Sequence, residues 1–366
     1  MNYTEQHFQL GLSFLQGIGP KKAAQLVSKT GSPEAVFQES IMHLHHQTTI
    51  SKSVLKQMNR TAALEKADKE LEFISRNQIR MHFYLDKDYP RRLRQCVDAP
   101  IVLFGKGNYE INGTKTVAIV GTRAATGYGK RICEELIERF EDQEIQVISG
   151  MAYGIDICAH QLCVKKNIST IGVLGHGLDR IYPYVHRKIA DQMIENGGLL
   201  TEFLPGTKPD RENFPMRNRI VAGMTDATIV VESKLSGGSL ITADLANDYN
   251  RDVFAFPGNI GQEQSAGCNS LIKTNKAHLV MNGQDFLTQM NWTNDSNSNK
   301  QQKICLELTQ DEKVIYDLLA ETEKEHIDVL SIKSGKPSSQ INVLLFQLEM
   351  KNAIDSLPGK LYRLRK

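Results

Sequence analysis

The 366-residue sequence is poor in cysteine and tryptophan and has no marked excess of charge of either sign. Its six cysteines show no zinc-ligand spacing, so the sequence predicts neither a metal site nor a bound cofactor. With 44 basic and 42 acidic residues the net charge is +2, and any basic surface must be local. No apolar run approaches the length of a membrane span, and no charged-then-apolar leader opens the chain. We expect a protein of the reducing cytoplasm that does not contact membranes.

The length predicts two or three domains. Residues 1–75 have the pattern of a helical domain of helix-hairpin-helix or SAM-like type, and residues 76–290 that of an α/β domain. Residues 291–303 are polar and low in apolar content, which is typical of a linker. Residues 304–366 form a third, smaller unit.

The N-terminal helical pattern contains Gly17-Ile18-Gly19 followed by Pro20 and two lysines. Proline at the first position of a helix after a glycine leaves backbone N–H groups open, and these can hold one DNA phosphate. A single hairpin of this kind also serves as a packing element. Both interpretations stay open.

Short apolar runs alternate with helical patterns across the α/β domain. After two short runs, Met81–Leu85 and Ile101–Phe104, the predicted strands are Val117–Val120, Val147–Ser149, Thr170–Leu174, Leu199–Phe203, Ala227–Glu232, Val253–Phe256 and His278–Met281. The helical patterns between them are Gly129–Asp142, Ile155–Lys166, His186–Asn196, Arg217–Gly223 and Leu240–Tyr249. This alternation predicts a mostly parallel, Rossmann-like sheet that is covered on both faces.

The stretch Thr116–Lys130 (TVAIVGTRAATGYGK) runs from a buried strand through a glycine-punctuated turn into a helix. Helix N-termini at such turns attract anions through their N–H groups and dipole. Arg123 adds a cation with a bidentate fork. The spacing matches neither Walker A nor G-x-G-x-x-G. The stretch alone predicts an anion site whose ligand is a nucleotide, a cofactor or a nucleic acid.

Four further turns at the carboxyl ends of predicted strands carry glycines or cations, and these ends share one edge of a parallel sheet. The turns lie within Ser149–Asp156, Gly175–Pro183, Phe214–Ile220 and Glu232–Ser239. The cations at this edge are Arg123, Arg187, Arg217, Arg219 and Lys234. A mononucleotide needs fewer cations than this, whereas a polynucleotide backbone uses many. The row of turns therefore favours a strand of nucleic acid.

Arg217 and Arg219 flank Asn218 on a predicted helix, where residues two apart point in different directions. One arginine is therefore expected at the nucleic acid, and the other in an ion pair with Asp226 or Glu232.

Asp156 lies near a helix start, where the dipole stabilises a carboxylate, and this role is favoured over catalysis. His160, four residues on, is interpreted as its structural partner. His176 lies in a glycine turn and is open to DNA contact.

The C-terminal unit has the order helix, helix, helix, hairpin, which is typical of a winged helix. The predicted elements are a helix from a Thr309–Glu312 cap to Leu319, Ile327–Ile332, a helix from Lys336 to Leu348, and a hairpin in Ala353–Leu364 around Pro358-Gly359. Its closing cations are Lys360, Arg363, Arg365 and Lys366. Winged helices bind DNA in some proteins and dock proteins in others, so both interpretations remain.

Together these motifs resemble the DNA-processing protein A family (DprA, also called Smf), and the resemblance covers most of the chain. Its markers are Gly121–Arg123 with Tyr128-Gly129, Ser149–Asp156 with Ala159-His160, Gly177–Pro183, Phe214-Pro215 with Arg217–Ile220, Gly238–Ala243, and Phe256–Gly258 with Leu271–Lys273. The resemblance implies an extended Rossmann-like fold that binds single-stranded DNA without base specificity. It also implies a homodimer that protects incoming DNA and loads a RecA-type recombinase in natural transformation, or competence.

Carried onto this sequence, the resemblance makes the arginines phosphate ligands and gives the glycine turns backbone amides for other phosphates. The candidate nucleic-acid-binding residues are Gly121, Thr122, Arg123, Thr126, Gly127, Ser149, Gly150, Tyr153, Gly154, Arg187, Arg217, Asn218, Arg219, Lys234, Gly237, Gly238 and Ser239. Two of these depart from the family pattern. Tyr153 stands where arginine is frequent and adds a ring for base stacking, and Gly237 stands where serine is frequent.

Two other functions remain as alternatives to a non-catalytic DNA-binding protein. The Ser-Gly-Gly turn is similar to the Pro-Gly-Gly turn of nucleotide-cleaving phosphoribohydrolases, although Leu240 and Ile241 replace their Gly-Thr and Asp244 replaces their Glu. A winged-helix regulator of one duplex sequence is the second. The dimer surface is predicted at Val253–Phe256 or Leu279–Met281, which are also candidate core residues.

Overall fold

The computed structural model describes residues 3–293, 309–320, 322, 324–351, 353–357 and 359–364. The chain forms two compact units, Met1–Thr293 and Asn294–Lys366. Most of the predicted linker 291–303, the turn residue Pro358, and the terminal Arg365 and Lys366 lie outside the described residues.

Six helices form the N-terminal part of the larger unit. They are α1 (Glu5–Gly11), α2 (Pro20–Thr30), α3 (Pro33–Gln38), α4 (Ile41–Gln47), α5 (Lys52–Gln57) and α6 (Arg60–Arg76). The second helix begins at Pro20 directly after Gly19, as the glycine–proline pattern predicted. Leu10 and Leu26 of these helices share one apolar core with Phe83 and Phe104 of the sheet. The helices therefore pack onto the sheet within one unit, where the pattern predicted a domain of their own.

A nine-stranded sheet is the centre of the larger unit. Its strands are β1 (Arg80–Phe83), β2 (Val102–Gly107), β3 (Lys115–Val120), β4 (Ile145–Ser149), β5 (Thr170–Val173), β6 (Gly197–Thr201), β7 (Ala227–Val230), β8 (Asp252–Ala255) and β9 (His278–Leu279), in the order β1-β2-β6-β5-β4-β3-β7-β8-β9. The pairs β1–β2 and β2–β6 are antiparallel and all other pairs are parallel. The chain fills one side of β3 first and then crosses to the other side at β7. This reversal makes the boundary between β3 and β7 a topological switch point.

Helices cover both faces of the sheet. They are α7 (Arg91–Arg94), α8 (Gly127–Phe140), α9 (Ile155–Lys165), α10 (Arg187–Met193), α11 (Asn213–Gly223), α12 (Gly238–Asp248), α13 (Ala266–Lys273) and α14 (Gly283–Gln289). Successive strand residues point to opposite faces. Ile119 of β3 accordingly packs in the cluster that contains Leu136 of α8, and Val120 in the cluster that contains Ala243 of α12.

The smaller unit is a winged helix. It contains α15 (Gln310–Ala320), β10 (Glu325–His326), α16 (Ile327–Ser334), α17 (Ser338–Met350), β11 (Ile354–Leu357) and β12 (Leu361–Leu364), with the sheet order β10-β12-β11. Thr309 Oγ1 and Glu312 cap the first helix reciprocally, as the sequence predicted. Ile315, Leu330 and Leu345 meet in the core of this unit.

The predicted fold class is confirmed, including every predicted strand of the sheet. The sequence reasoning missed α13 and α14, which follow the last two parallel strands, and placed the start of α11 four residues late. In the described part of the chain, no helix is long and apolar enough to cross a membrane.

Candidate nucleic-acid interface

A cleft of about 730 Å³ opens at the carboxyl ends of the strands, beside the boundary between β3 and β7. Its walls are the turns that follow β3 to β7, together with the first turns of α11 and α12; we call it the switch-point cleft. The charged groups among the described residues that line it are Arg123, Arg211, Arg217, Lys234 and Asp156. Four cations face one acid, so the cleft attracts anions.

Arg123 lies exposed in the turn after β3, and no ion pair joins it to a carboxylate among the described residues. Its guanidinium carbon lies 5.6 Å from the centre of the Phe214 ring. That ring lies 6.1 Å from the ring of Tyr182, which is 47% exposed. Arg123 can therefore bind a phosphate, and the two rings beside it are surfaces on which bases can stack.

Arg217 projects from α11 into the floor of the switch-point cleft and is 4% exposed. Its Nη1 donates to Val173 O at 3.0 Å, while its Nε has no hydrogen-bond partner among the described residues. Burial lowers the pKa of Arg217 to about 10, against the raising influence of Asp156, so the side chain stays protonated at neutral pH. A Cβ on Gly150 would lie 1.6 Å from Nη1, which is why glycine stands there. The charge of this buried guanidinium makes the floor of the cleft favourable for an anion.

Glu232 occupies the N-terminus of α8, where the sequence predicted a bound phosphate. Thr126 N and Oγ1 donate to its carboxylate at 2.9 and 2.5 Å, and Thr122 N donates to its backbone O at 2.7 Å. A Cβ on Gly129 would lie 2.2 Å from Glu232 Oε2. The anion of this turn is the protein's own carboxylate. The prediction that Thr122 and Thr126 offer this turn to a ligand is corrected accordingly. Gly127 is exposed and its N–H has no acceptor among the described residues, and Arg123 is the exposed cation of the turn.

The turn after β4 is likewise satisfied by an internal carboxylate. Gly150 N and Ala152 N donate to Asp156 Oδ2 at 3.2 and 3.4 Å, so the Gly150 amide is not open to a phosphate. Burial raises the pKa of Asp156. His160 is not its partner, since His160 Nδ1 is hydrogen-bonded to Thr170 Oγ1 at 2.8 Å. Burial lowers the pKa of His160 to about 3, so this histidine is neutral.

The N-terminus of α12 is open. The N–H groups of Gly238 and Ser239 have no acceptor among the described residues. Gly237 N donates to Lys234 O at 3.0 Å, and a Cβ on Gly237 would lie 2.3 Å from Ser233 Oγ. Ser239 Oγ donates to Ser233 Oγ at 2.9 Å and so points away from the cleft. Unlike the turns after β3 and β4, this turn holds no internal carboxylate among the described residues, so its N–H groups and the helix dipole are available to a ligand.

Arg219 does not reach the switch-point cleft. Its guanidinium is hydrogen-bonded to the carboxylate of Glu202 and to the backbone O of Asp98. The expectation that one of the two α11 arginines is structural is met, but the predicted partners were wrong. Asp226 instead pairs with Arg92 Nε at 2.6 Å.

Two other polar candidates line the cleft, and each already makes one polar contact within the protein. Lys234 Nζ pairs with Glu263 Oε1 at 2.9 Å on the surface, and Asn218 Nδ2 donates to Gly238 O at 3.5 Å. His176 is buried and hydrogen-bonded to its own turn, so it does not reach DNA. In the described part of the chain, no group of three or more His, Cys, Asp or Glu side chains is arranged to hold a metal ion.

The remaining candidates lie outside the lining of the cleft. Ser149 is buried and its Oγ donates to a β3 carbonyl at 2.6 Å. Gly154 has φ of +80°, and a Cβ there would lie 2.1 Å from Thr122 O, so its role is to let two turns approach. Tyr153 and Arg187 are both exposed, on a neighbouring surface.

Comparison with known proteins agrees with this architecture. A family model described as DNA recombination-mediator protein A matches residues 80–291, and one described as DprA winged helix domain matches residues 305–360. The chain belongs to the DprA/Smf family. It is 42% identical over 205 residues to the DNA processing protein DprA of Streptococcus pneumoniae, covering 56% of this chain and 72% of that protein. It is 35% identical over 290 residues to Protein Smf of Escherichia coli, covering 76% of this chain and 75% of that protein.

Two solved structures of the DprA/Smf family are similar to this chain. The X-ray structure of DprA from Streptococcus pneumoniae has a TM-score of 0.64 at 34% identity, covering 79% of this chain and 99% of that chain. A structure of DNA processing protein A from Helicobacter pylori, described for its single-stranded DNA binding mode, has a TM-score of 0.54 at 28% identity. It covers 59% of this chain and 97% of that chain.

Among the cleft residues of this DprA/Smf chain that the sequence reasoning did not assign to a site are one cation, Arg211, and two aromatic residues, Tyr182 and Phe214. The two aromatic residues were noticed as family markers but not as parts of a site. Their signal was an aromatic side chain beside arginines in turns at the strand ends, which is the composition of single-strand binding surfaces.

Proposed function

We propose that this protein binds single-stranded DNA without sequence preference, through the switch-point cleft. The observation that carries the proposal is the combination of Arg123, Arg217 and the open N-terminus of α12 around one cleft, with the exposed Tyr182 ring and the half-buried Phe214 ring at its mouth. Each of these features is a phosphate ligand or a stacking surface, and none of them reads a particular base.

The phosphates are assigned to three donors of different kind. Arg123 is exposed and takes a phosphate by a bidentate contact at the mouth of the cleft. Arg217 contributes the positive charge of a buried guanidinium that lines the floor of the cleft. The N–H groups of Gly238 and Ser239 take another phosphate with the help of the α12 dipole.

Phe214 and Tyr182 are assigned to the bases. The rings lie 6.1 Å apart at an angle of 36°, and both border the cleft beside Arg123. Every base has a π-face, so stacking on such rings is independent of sequence. Flanking phosphates held by cations keep the strand at these rings.

A non-catalytic role is supported by the position of Asp244, the residue that replaces the glutamate of the phosphoribohydrolases. Its Oδ1 accepts from Lys276 Nζ at 2.8 Å on the surface, and it is not among the residues that line the cleft. The turn before it is continued by Leu240 and Ile241, which offer no polar group to a ribose.

We do not assign single-strand binding to the winged helix. The described exposed residues of α17 include Val343, Phe346 and Met350 and no lysine or arginine. Lysine and arginine supply most of the affinity for a phosphate backbone, and α17 has neither. The alternative of a regulator that reads one duplex sequence is therefore disfavoured.

We also propose the finer role that the family resemblance implies: protection of incoming single strands, transfer to a RecA-type recombinase, and action as a homodimer. Val253–Phe256, one predicted dimer surface, is core, because all its apolar side chains are buried. The other is exposed: Leu279 and Met281, on and just after the edge strand β9, are 43% and 72% exposed. An exposed apolar edge strand suits pairing with a second copy. Met281→Glu is expected to convert a dimer to a monomer in light scattering, with Val97→Glu, another exposed apolar position, as control.

One binding series tests the proposed function. Binding of oligo-dT supports a single-strand site if its affinity falls steeply as the salt concentration rises. Release of free base from AMP would support an enzyme instead, and preference for one duplex sequence a regulator. Oligonucleotides of all four base compositions should bind within about tenfold of one another, since base stacking tolerates sequence.

A further inference from the structure

Tyr153 and Arg187, two candidates that lie outside the switch-point cleft, both adjoin His186. The Tyr153 ring meets the His186 ring edge-on, with centroids 5.0 Å apart. His186 is buried, and its Nδ1 is hydrogen-bonded to Met151 O at 2.9 Å. This bond and burial hold the histidine in place, and the Tyr153 ring packs against it while 49% of that residue stays exposed.

A second exposed tyrosine lies on the one-turn helix that contains His186. Tyr184 opens the one-turn 3₁₀-helix Tyr184–His186 and is 77% exposed, beside Val185 at 69%. Tyr182, which lines the cleft, precedes Tyr184 by two residues, so the two Cα atoms are within about 7 Å of each other. A second exposed tyrosine therefore lies close along the chain to the one at the mouth of the cleft, and Tyr153 packs on the same one-turn helix through His186. We name Tyr153 and Tyr184 the outer tyrosine surface.

The surface next to Tyr184 is concave, and its charged side chains nearly cancel. A depression of about 530 Å³ is lined by Tyr184, Val185, Gln192, two cations and two acids. The charged members are Arg187, Lys188, Asp191 and Glu195, and Arg187 already pairs with Asp191 at 3.4 Å. Balanced charge gives little attraction for a phosphate, whereas apolar rings and neutral amides suit a base.

We propose that the outer tyrosine surface is a second stacking site, which takes unpaired nucleobases of the strand segment that leaves the cleft past Tyr182. The inference rests on the proposed function and adds to it where the strand goes next and how it is held. The contact is made by rings, with the phosphates turned to solvent. It therefore lengthens the bound segment without adding to the salt dependence of binding.

The test compares a short oligo-dT of about six nucleotides, which fills the cleft alone, with a long one of about 25. In the full chain, Tyr153→Ala/Tyr184→Ala should weaken the long oligonucleotide about tenfold and leave the short one within twofold. The slope of log affinity against log salt should not change. Tyr184→Phe, which keeps the ring, should bind both lengths like the parent protein, and unchanged thermal midpoints should show that the exposed substitutions leave the fold intact.

The outcomes separate this inference from the proposed function. If the parent protein binds no oligo-dT, the proposed function fails. If it binds short and long oligonucleotides equally, or if the double variant retains full affinity for the long one, the outer tyrosine surface is not a site while the cleft stands. An equal loss for both lengths would place the tyrosines in the cleft site, and a shallower salt slope would indicate a phosphate contact; either result overturns the inference.

Discussion

Arg217 and Arg219 lie two positions apart on α11, and the helix sends them to different surroundings. Arg217 enters the switch-point cleft with its Nε unused, whereas Arg219 is held by Glu202. Their spacing in the sequence predicted that the two side chains would point in different directions. It did not identify which one reaches the cleft, because Glu202 and Asp98 approach Arg219 from turns that are distant in sequence.

Arg219→Gln is expected to lower stability without affecting DNA affinity. The change leaves the mostly buried Glu202 carboxylate without its partner, which should reduce the free energy of unfolding by about 3 kcal/mol. Urea denaturation measures this loss, and the double variant Arg219→Gln/Glu202→Gln should recover part of it. A folded Arg219→Gln protein with tenfold weaker oligo-dT binding would show that this arginine belongs to the DNA site.

The buried His160 should make stability depend on pH. Its pKa is about 3 in the folded protein and returns to its ordinary value of 6.5 on unfolding. The unfolded chain therefore binds a proton below pH 6.5 that the folded chain refuses, and stability falls as the pH drops from there towards 3. Between pH 7 and 5 this group alone should cost about 2 kcal/mol of unfolding free energy.

His160→Gln isolates this contribution. Urea denaturation gives the free energy of unfolding of each protein at pH 7 and at pH 5. The decrease in this free energy between pH 7 and pH 5 should be about 2 kcal/mol smaller in the variant than in the parent protein. Burial also lowers the pKa of His82 and His176, but those residues contribute equally to both proteins and cancel. Identical losses in the two proteins would mean that His160 is protonated in the fold.

Two helix N-termini at the same sheet edge differ in what they hold. The start of α8 holds the Glu232 carboxylate, whereas the start of α12 holds no carboxylate among the described residues. A glycine-rich turn before each helix was visible in the sequence, so both were predicted as anion sites. The carboxylate comes from the end of β7, and only the pairing of β7 with β3 brings it beneath α8. A single sequence does not reveal that pairing.

Gly238→Asp tests the open N-terminus. A Cβ at Gly238 meets no atom within 4 Å, so a side chain fits. The aspartate should stabilise α12 through the helix dipole, yet it should repel a phosphate and weaken oligo-dT binding about fivefold or more. Gly238→Asn, of the same shape without charge, is the matched control, and fluorescence anisotropy is the measurement. Equal affinity of the two variants would remove α12 from the site.

At the scale of the whole molecule, the sequence predicted the strand series, the alternation with helices and the winged-helix order, because each depends on local periodicity and turn residues. The sequence predicted a separate domain for the N-terminal helices, because local patterns do not show that Leu10 and Phe83 share one core. The convergence of distant turns on one cleft followed from the general rule for parallel sheets, whereas the choice among their donors depended on long-range contacts.

Deleting residues 304–366 should leave oligo-dT affinity within about twofold. All residues that line the switch-point cleft belong to the unit Met1–Thr293, which has its own cores, and α17 presents no cation. Anisotropy titrations of the full and shortened chains give the comparison. Complete loss of binding by a folded shortened chain would assign the DNA site to the winged helix.

The most direct test of the account is an oligo-dT titration of Arg123→Gln at several salt concentrations. Arg139→Gln, which removes an exposed cation at the far end of α8, is the control. We expect about tenfold weaker binding at low salt for Arg123→Gln, and a salt slope reduced by about 0.7 because one phosphate contact is lost. Affinity within twofold of the parent protein, with an unchanged slope, would contradict a single-strand site in the switch-point cleft.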